Sequence, residues 1–336
     1  MSAVVDPAGS LRLLGHESLR YTLARGGVQI DLGLVRLRVR ADEPLFARQL
    51  VDVYGHFTPE LNSPWCDMHV SLLRATGPRR WLRPQVRFIA DGHREFDPFP
   101  ADHALPLMEW GVNWLIGRRM NNMLLLHAGA LERDGRALVM PALPGSGKST
   151  LSAALSLRGW RLLSDEFGAF DPSLGAFRPV LKPVALKNQS IDVIRRFEPS
   201  AELGPDFIKT RKGTVAHLAP SLGAVLRKHE TALPGMLVLP RWQAGSATVL
   251  EPIPPQVAFT SLAFNAFNYA VLGADGFRAV MSLLRGMSAW RLEYSDLEDA
   301  TARLLDLWNR QVSPAGVSSG VNCQTPSAPV VGHGAT

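Results

Sequence analysis

The stretch from 136 to 158 constrains this chain more than any other. Residues 137–140, AlaLeuValMet, form a short apolar run with the pattern of a buried strand. ProAlaLeuProGlySerGlyLysSerThr follows, and residues 151–158 continue as an apolar helix. A strand, a glycine-rich loop and a helix in this order are the context of a phosphate-binding P-loop. Gly145 and Gly147 let the backbone close around an anion, and the loop N–H groups and the helix N-terminus then point at phosphate oxygens. In such a loop Lys148 reaches the β- and γ-phosphates and the Ser149 hydroxyl holds Mg²⁺. The nucleotide-binding set is therefore Pro144, Gly145, Ser146, Gly147, Lys148, Ser149 and Thr150. The full pattern has glycine at position 142, where this chain has Ala142. A chance Gly/Ser turn before a helix is the competing reading; the ordered strand, loop, lysine and hydroxyl argue against it.

A P-loop implies a nucleotide, not a reaction. The second element is LeuLeuSerAspGluPhe, 162–167, which puts Asp165 and Glu166 at the end of an apolar strand 17 residues after Lys148. Adjacent carboxylates there can divide the labour, one holding Mg²⁺ and the other accepting the proton of an attacking hydroxyl. A solvated loop with two acids is the plainer alternative. The third element is His127, which ends the short apolar strand 123–127. It is either a satisfied core residue or a group that hydrogen-bonds the γ-phosphate or orients a carboxylate.

Around these elements the chain divides into three parts. Residues 28–40 alternate apolar and polar, the period-2 signature of half-buried strands, and 67–73 and 86–89 look similar. Region 1–120 is expected to be a β-rich module closed by a linking helix over 104–119, whose apolar residues fit one broad face. Region 121–312 is expected to be the P-loop domain. Asp134-Gly135 predicts a hairpin turn that delivers the chain into the loop. Strands are expected near 167–170, 177–186, 213–218, 235–240 and 246–251, and helices over 189–196, 256–271, 275–285 and 297–311. The tail, 313–336, is rich in Ser, Gly, Pro, Ala and Val and is expected to be disordered.

HisAlaGlyAla at 127–130, ProGlySerGlyLysSerThr at 144–150 and SerAspGluPhe at 164–167 together resemble the catalytic domain of HPr kinase/phosphorylase. The resemblance is closer to the HPr-kinase-related kinases found beside PqqD-like proteins and nucleotidyltransferases in bacterial polysaccharide and exosortase gene clusters. It covers about 120–230. It implies an α/β fold like phosphoenolpyruvate carboxykinase, not a doubly wound P-loop sheet. It also implies transfer of the γ-phosphoryl group of ATP, with Mg²⁺, to a hydroxyl. On these positions His127 is the functional histidine, Lys148 the P-loop lysine, Ser149 the metal-binding hydroxyl and Asp165 the catalytic aspartate. Glu166 stands where HPr kinase has a second aspartate, so Ser149, Asp165 and Glu166 are the implied metal set. A signature of the type AsnIleArgGlyLeuGly is not found. Its nearest counterpart is ProValAlaLeuLysAsnGlnSer, 183–190, with Lys187 at a strand–helix junction. A PqqD-like protein or a nucleotidyltransferase is the partner the resemblance implies, and a homo-oligomer is expected.

Charge and composition bound the rest. The segment 178–228 holds ten Lys/Arg against four acids, either ordinary solvated charge or an anion-facing rim in which Lys187 and Lys212 are the strongest candidates. His217 reads as structural. The net charge of +6 is modest for 336 residues and is weak evidence for nucleic acid. Residues 252–274 lack any charge, but Gln256, Thr260, Ser261, Asn265 and Asn268 would be costly in lipid, so a buried helix is expected there, not a membrane span. Two cysteines without metal-ligand spacing, and no basic-then-apolar start, lead to the expectation of a cytoplasmic protein.

The leading expectation is a kinase acting on the serine of a small protein or peptide, or on a sugar-like metabolite. A nucleotide-dependent switch or assembly factor is the alternative, and ATP turnover with and without acceptors separates the two. A decarboxylating carboxykinase would need a metal-binding His/Lys/Asp cluster that the sequence does not display. Lys148→Ala is expected to abolish ATP binding, since the loop offers no other cation to the β/γ-phosphates. Wild-type nucleotide affinity in that variant, read by titration calorimetry, would remove the P-loop assignment.

Overall fold

The computed structural model describes residues 9–61, 64–143 and 145–312. Pro144 and the tail 313–336 lie outside the described residues. The fold is mixed α/β with three sheets.

The first sheet holds β1 (Val28–Asp31), β2 (Arg36–Ala41), β3 (Met68–Arg74), β4 (Gln85–Ala90) and β5 (His93–Arg94) in that order, with β6 (Phe99–Pro100) also on β4. Only β2 and β3 pair in parallel. Strand alternation sends Leu37, Val39, Val86 and Phe88 inward. Helices α1 (His16–Arg25), α2 (Phe46–Tyr54) and α3 (Ala104–Arg119) accompany it. The alternating strands and the linking helix are thus where the sequence predicts them, while α1 and α2 make the region mixed instead of simply β-rich.

The large sheet begins with the hairpin of β7 (Leu124–Arg133) and β8 (Arg136–Pro141), turned at Asp134 and Gly135, both with positive φ. After α4 (Lys148–Leu157) come β9 (Arg161–Ser164), β10 (Phe167–Asp171) and β11 (Ala176–Arg178). The chain then forms a small sheet from β12 (Val184–Lys187), β13 (Phe207–Thr210) and β14 (Gly213–Leu218), with α5 (Gln189–Phe197) and α6 (Leu222–Leu226). It returns as β15 (Leu233–Trp242) and β16 (Val249–Pro252), passes through α7 (Pro255–Phe264), α8 (Tyr269–Leu272) and α9 (Ala274–Arg285), and finishes with β17 (Ser288–Tyr294) and α10 (Leu297–Gln311). The sheet order is β11-β10-β7-β8-β15-β17-β16, with β9 also on β7. The central β8, β15 and β17 are parallel to one another.

Period-2 alternation splits the apolar residues of this sheet between its faces. Leu125, Leu131, Leu138 and Met140 join Leu151 and Leu155 of α4 and Leu304 of α10. Leu124, Leu126, Val139 and Leu237 join Leu262 of α7 and Val280 and Leu283 of α9. The first of these cores continues without a break into the N-terminal sheet, from Leu11 to Val312.

Two expected elements are divided. The strand expected over 177–186 becomes β11 and β12, because the chain between them leaves the large sheet: Leu181 N–H donates to Leu32 and Pro179 accepts from Leu34 N–H. The helix expected over 256–271 breaks after Phe264. Residues 265–267 instead run along β7, where His127 N–H donates to Asn265 and Phe267 N–H to Leu125. The buried Asn268 amide bonds Met120, Met123 and Leu125 backbone. Strand β17 is an element the sequence reading does not predict. Among the described residues no helix is long and apolar enough to cross a membrane.

Helix α3 lies so close to β4 that a Cβ at Gly111 would come within 2.2 Å of the Phe88 ring. Phe88 is fully buried and has nowhere to move. Gly111→Ala is therefore expected to destabilise the fold by about 1–3 kcal/mol through overpacking. A urea midpoint equal to that of the wild type would show that α3 can shift off the sheet.

Candidate nucleotide and acceptor site

The three parallel strands β8, β15 and β17 end at the same edge of the large sheet, and residues 145–148 sit there. Open α/β sheets place ligands at this edge. The loop is held from below: Trp242 N–H donates to Ser146 O at 2.9 Å, and the Tyr294 hydroxyl donates to Gly147 O at 3.2 Å. Gly147 has φ +88°, and a Cβ there would lie 2.5 Å from the Tyr294 oxygen. Glycine is required on both counts. Gly145, at φ +89°, is in the same left-handed region. Helix α4 starts at Lys148, so Ser149 and Thr150 stand half-buried in its first turn.

Strand β7 carries the opposite wall. Leu125, His127, Gly129 and Leu131 share the face toward α4, following the period of two. At Gly129 the missing side chain lets α4 press in: a Cβ would meet Ser152 Oγ at 2.5 Å and Lys148 Cγ at 3.5 Å. Along the neighbouring edge, β9 and β10 both pair antiparallel with β7, so they form one strand interrupted at Asp165 and Glu166. Lys148, 8% exposed, donates from Nζ to the Asp165 carbonyl at 2.9 Å.

The two carboxylates have different surroundings. Glu166 lies 3.3 Å from His127 Nε2. Burial pushes its pKa up, but the His127 hydrogen bond and the charges of Lys148, His127 and Lys187 prevail and hold it at about 2. Asp165 is 3% exposed, and neither of its carboxylate oxygens has a hydrogen-bond partner among the described residues. Burying an unpartnered carboxylate is costly, which marks Asp165 as aimed at something that binds.

Lys187 and Lys212 arrive from the small sheet. Asn188, between β12 and α5, has φ +52° and bridges to the β13–β14 turn: its N–H donates to Thr214 O, its Oδ1 accepts from Thr214 N–H, and its Nδ2 donates to Lys212 O. A Cβ at Gly213 would strike that Asn188 oxygen at 2.2 Å. This clamp brings the two lysines near each other. Burial, then the charge of Lys212, lowers the Lys187 pKa, against the pull of Glu166 and Asp165. No ion pair or hydrogen bond engages either ammonium group among the described residues.

The structure thus gathers His127, Lys148, Asp165, Glu166 and Lys187 from four separate elements or loops. Ser149 and Thr150 stand one turn from them, and no hydrogen bond joins the Ser149 hydroxyl to either acid among the described residues. Pro144 lies outside the described residues. Among them, too, no group of three or more His, Cys, Asp or Glu could hold a metal alone. The donor set of Ser149, Asp165 and Glu166 suits Mg²⁺, which takes one or two carboxylates and completes its shell with phosphate and water. The unpartnered oxygens of Asp165 are the observation that fits it.

Beyond the acids a cleft of about 160 Å³ opens between α3 and the small sheet. Trp110 and Asn113 of α3 and Phe99 of β6 line it, facing Lys187, Lys212 and His217. Sequence reasoning assigns the 104–119 helix to packing alone and His217 to structure. The tryptophans of that helix gave no functional signal, because core aromatics look the same in sequence. His217 is fully buried, and burial pushes its pKa down to about 4. Tyr294 and Trp242, which support the loop, were equally silent. No family model matches the chain, and no curated protein matches it.

Glu166 is the group whose charge depends most on a neighbour. Its folded pKa lies below the ordinary 4.5, so its stabilising contribution is complete above that value and is lost as the pH falls toward 2. His127→Ala removes the hydrogen bond and should raise that pKa. The stability gap between wild type and variant is then expected to shrink as the pH falls from about 4.5 toward 2. Urea unfolding across this range checks it; a gap that does not change with pH would mean that His127 does not hold the charge of Glu166.

Proposed function

We propose that this chain is an ATP- and Mg²⁺-dependent kinase of the HPr-kinase-related kind that transfers the γ-phosphoryl group to a hydroxyl acceptor. The observation that carries this reading is the buried, unpartnered carboxylate of Asp165, next to the P-loop lysine and at the mouth of a cleft. A phosphoenolpyruvate-carboxykinase-like fold is supported by two features. The strand before the P-loop forms an antiparallel hairpin, β7–β8, and the acids follow immediately after α4, on the strand that runs beside β7.

The loop N–H groups and the α4 N-terminus hold the triphosphate. Lys148 leaves the Asp165 carbonyl for a β/γ-phosphate oxygen, and Lys187 offsets charge on the transferring group. Ser149 and Glu166 or Asp165 would hold Mg²⁺, which would supply charge neutralisation to the triphosphate. Asp165 takes the proton of the acceptor hydroxyl. The acceptor oxygen forms its bond to the γ-phosphorus as the bond to the β–γ bridging oxygen breaks, and that electron pair leaves on ADP. The site does this mainly by positioning and by fixed charge. Glu166, held ionised by His127, keeps its negative charge throughout. PqqD-like or nucleotidyltransferase partners and a homo-oligomer remain part of this proposal by resemblance alone.

Asp165→Asn is expected to retain ATP binding and to lose kcat by roughly 10²–10⁴-fold, since the amide keeps the shape but cannot accept the proton. Glu166→Gln is expected to raise the Mg²⁺ concentration needed for half-maximal rate. Labelled-ATP turnover with a magnesium titration tests both. Normal turnover by Asp165→Asn with a dead Glu166→Gln would exchange the two roles, and wild-type behaviour by both would overturn the mechanism.

A further inference from the structure

We propose that the cleft between α3 and the small sheet is the acceptor site, and that it takes a single polyhydroxyl ring, a monosaccharide-type molecule, in preference to a protein serine. This rests on the kinase reading above and adds the substrate class to it.

Size is the first argument. The cleft volume is about 160 Å³. A cavity of about 150 Å³ accommodates a six-membered ring such as benzene. One ring fits this space.

The second argument is the set of polar atoms left waiting. Both carboxylate oxygens of Asp165 and Nδ1 of His217 are buried without a hydrogen-bond partner among the described residues, and both residues line the cleft. Such atoms are costly when unpaired. Asp165 accepts only, and a neutral imidazole offers one donor and one acceptor, so hydroxyl groups satisfy all of them. A serine brings one hydroxyl. A sugar ring brings several, spaced around its edge, and can meet Asp165 with one and His217 with another.

The third argument is the chemistry of the walls. Lys182 and Glu109 form an ion pair at 3.0 Å and so cancel within the cleft. Glu109 also accepts from the Tyr54 hydroxyl at 2.6 Å, and Asn113 Oδ1 accepts from Lys182, which leaves the Asn113 NH₂ free to donate. Trp110 and Phe99 stack on one another with ring centroids 5.8 Å apart and the Arg211 guanidinium lies over both, giving an aromatic wall that carries a donor, while Ala185 and Val215 line the cleft on the side of the small sheet. Apolar and aromatic walls with a few convergent polar groups are the usual make-up of a small-molecule site. Glu109, Trp110 and Asn113 all come from α3, so the N-terminal region acts as the specificity wall of the site. In the transfer, the ring hydroxyl facing Asp165 loses its proton to that carboxylate and gains the γ-phosphoryl group, and ADP leaves with the electron pair.

The test uses the full chain with γ-labelled ATP, Mg²⁺ and, separately, glucose, N-acetylglucosamine, ribose, myo-inositol and lysate proteins. Nucleotide affinity is measured independently with a fluorescent ATP analogue. Phosphorylation of at least one ring compound is expected. Ala185→Phe, which fills the cleft, should raise the KM for that compound at least about tenfold while nucleotide affinity stays within about twofold. Trp110→Ala, which opens the cleft instead of filling it, should act in the same direction, and nucleotide affinity unchanged in both variants excludes a folding artefact. Label found only on protein, no labelled ring compound, or an unchanged acceptor KM in Ala185→Phe each overturns the proposal. Failure of the wild-type chain to bind the ATP analogue overturns the kinase reading itself, and the acceptor site with it.

Discussion

Lys148 spans the gap between the P-loop helix and the broken strand by a single hydrogen bond to the carbonyl of Asp165. Much of the site depends on that reach being short. It is short because Gly129 carries no side chain, so the first turns of α4 rest directly on β7. It is available because the strand β9–β10 stops pairing at Asp165 and Glu166, which frees a backbone carbonyl inside the sheet. A helix N-terminus, a lysine and two acids are thereby fixed within one small volume by backbone geometry. That is the kind of preorganisation from which charge stabilisation of a transferring phosphoryl group derives.

Charge then separates two chemically similar neighbours. Glu166 is surrounded by His127, Lys148 and Lys187, and stays ionised to about pH 2. Asp165 has neither of its oxygens engaged. A carboxylate already held by cations suits charge balance, whereas one with idle lone pairs is open to a metal ion or a proton. The difference between the two acids therefore follows from surroundings and not from the identity of the side chains. The lysine pair is set by a comparable device. Asn188 adopts a backbone conformation unusual for any residue but glycine, and its side chain and backbone lock it to the β13–β14 turn, which holds Lys187 and Lys212 near each other despite their mutual repulsion.

The N-terminal region is continuous with this machinery. One apolar core runs through both sheets and α3, and Gly111 brings α3 against Phe88 with no space to spare. The same helix turns its other residues toward the cleft, where Glu109 pairs with Lys182 of the segment that leads into β12. Core packing on one side and the cleft lining on the other are thus properties of a single helix, and a change to its seat on β4 would be felt at the cleft wall.

The local elements of the site were legible in the chain because they depend on short-range chemistry. A strand, two glycines, a lysine and a hydroxyl in order predict a loop, and Asp134-Gly135 predicts the hairpin that feeds it. The alternation at 28–40 and 67–73 predicts the first strands. Long-range pairing was not legible. The expected helix over 256–271 breaks because residues 265–267 hydrogen-bond β7 and Asn268 bonds backbone of 120–125, partners more than a hundred residues away. The expected strand over 177–186 divides because its middle bonds residues 32 and 34. Sequence by itself determined which residues could bind phosphate and carry acid–base chemistry, since those powers belong to the side chains. Only the tertiary structure decided that His127 sits on Glu166, that Asp165 is left unpartnered, and that Trp110, Asn113 and His217 share a cleft with it. Burial and charge environment are set by what the folded chain brings alongside, and side chains from distant segments leave no mark of that meeting in the local pattern.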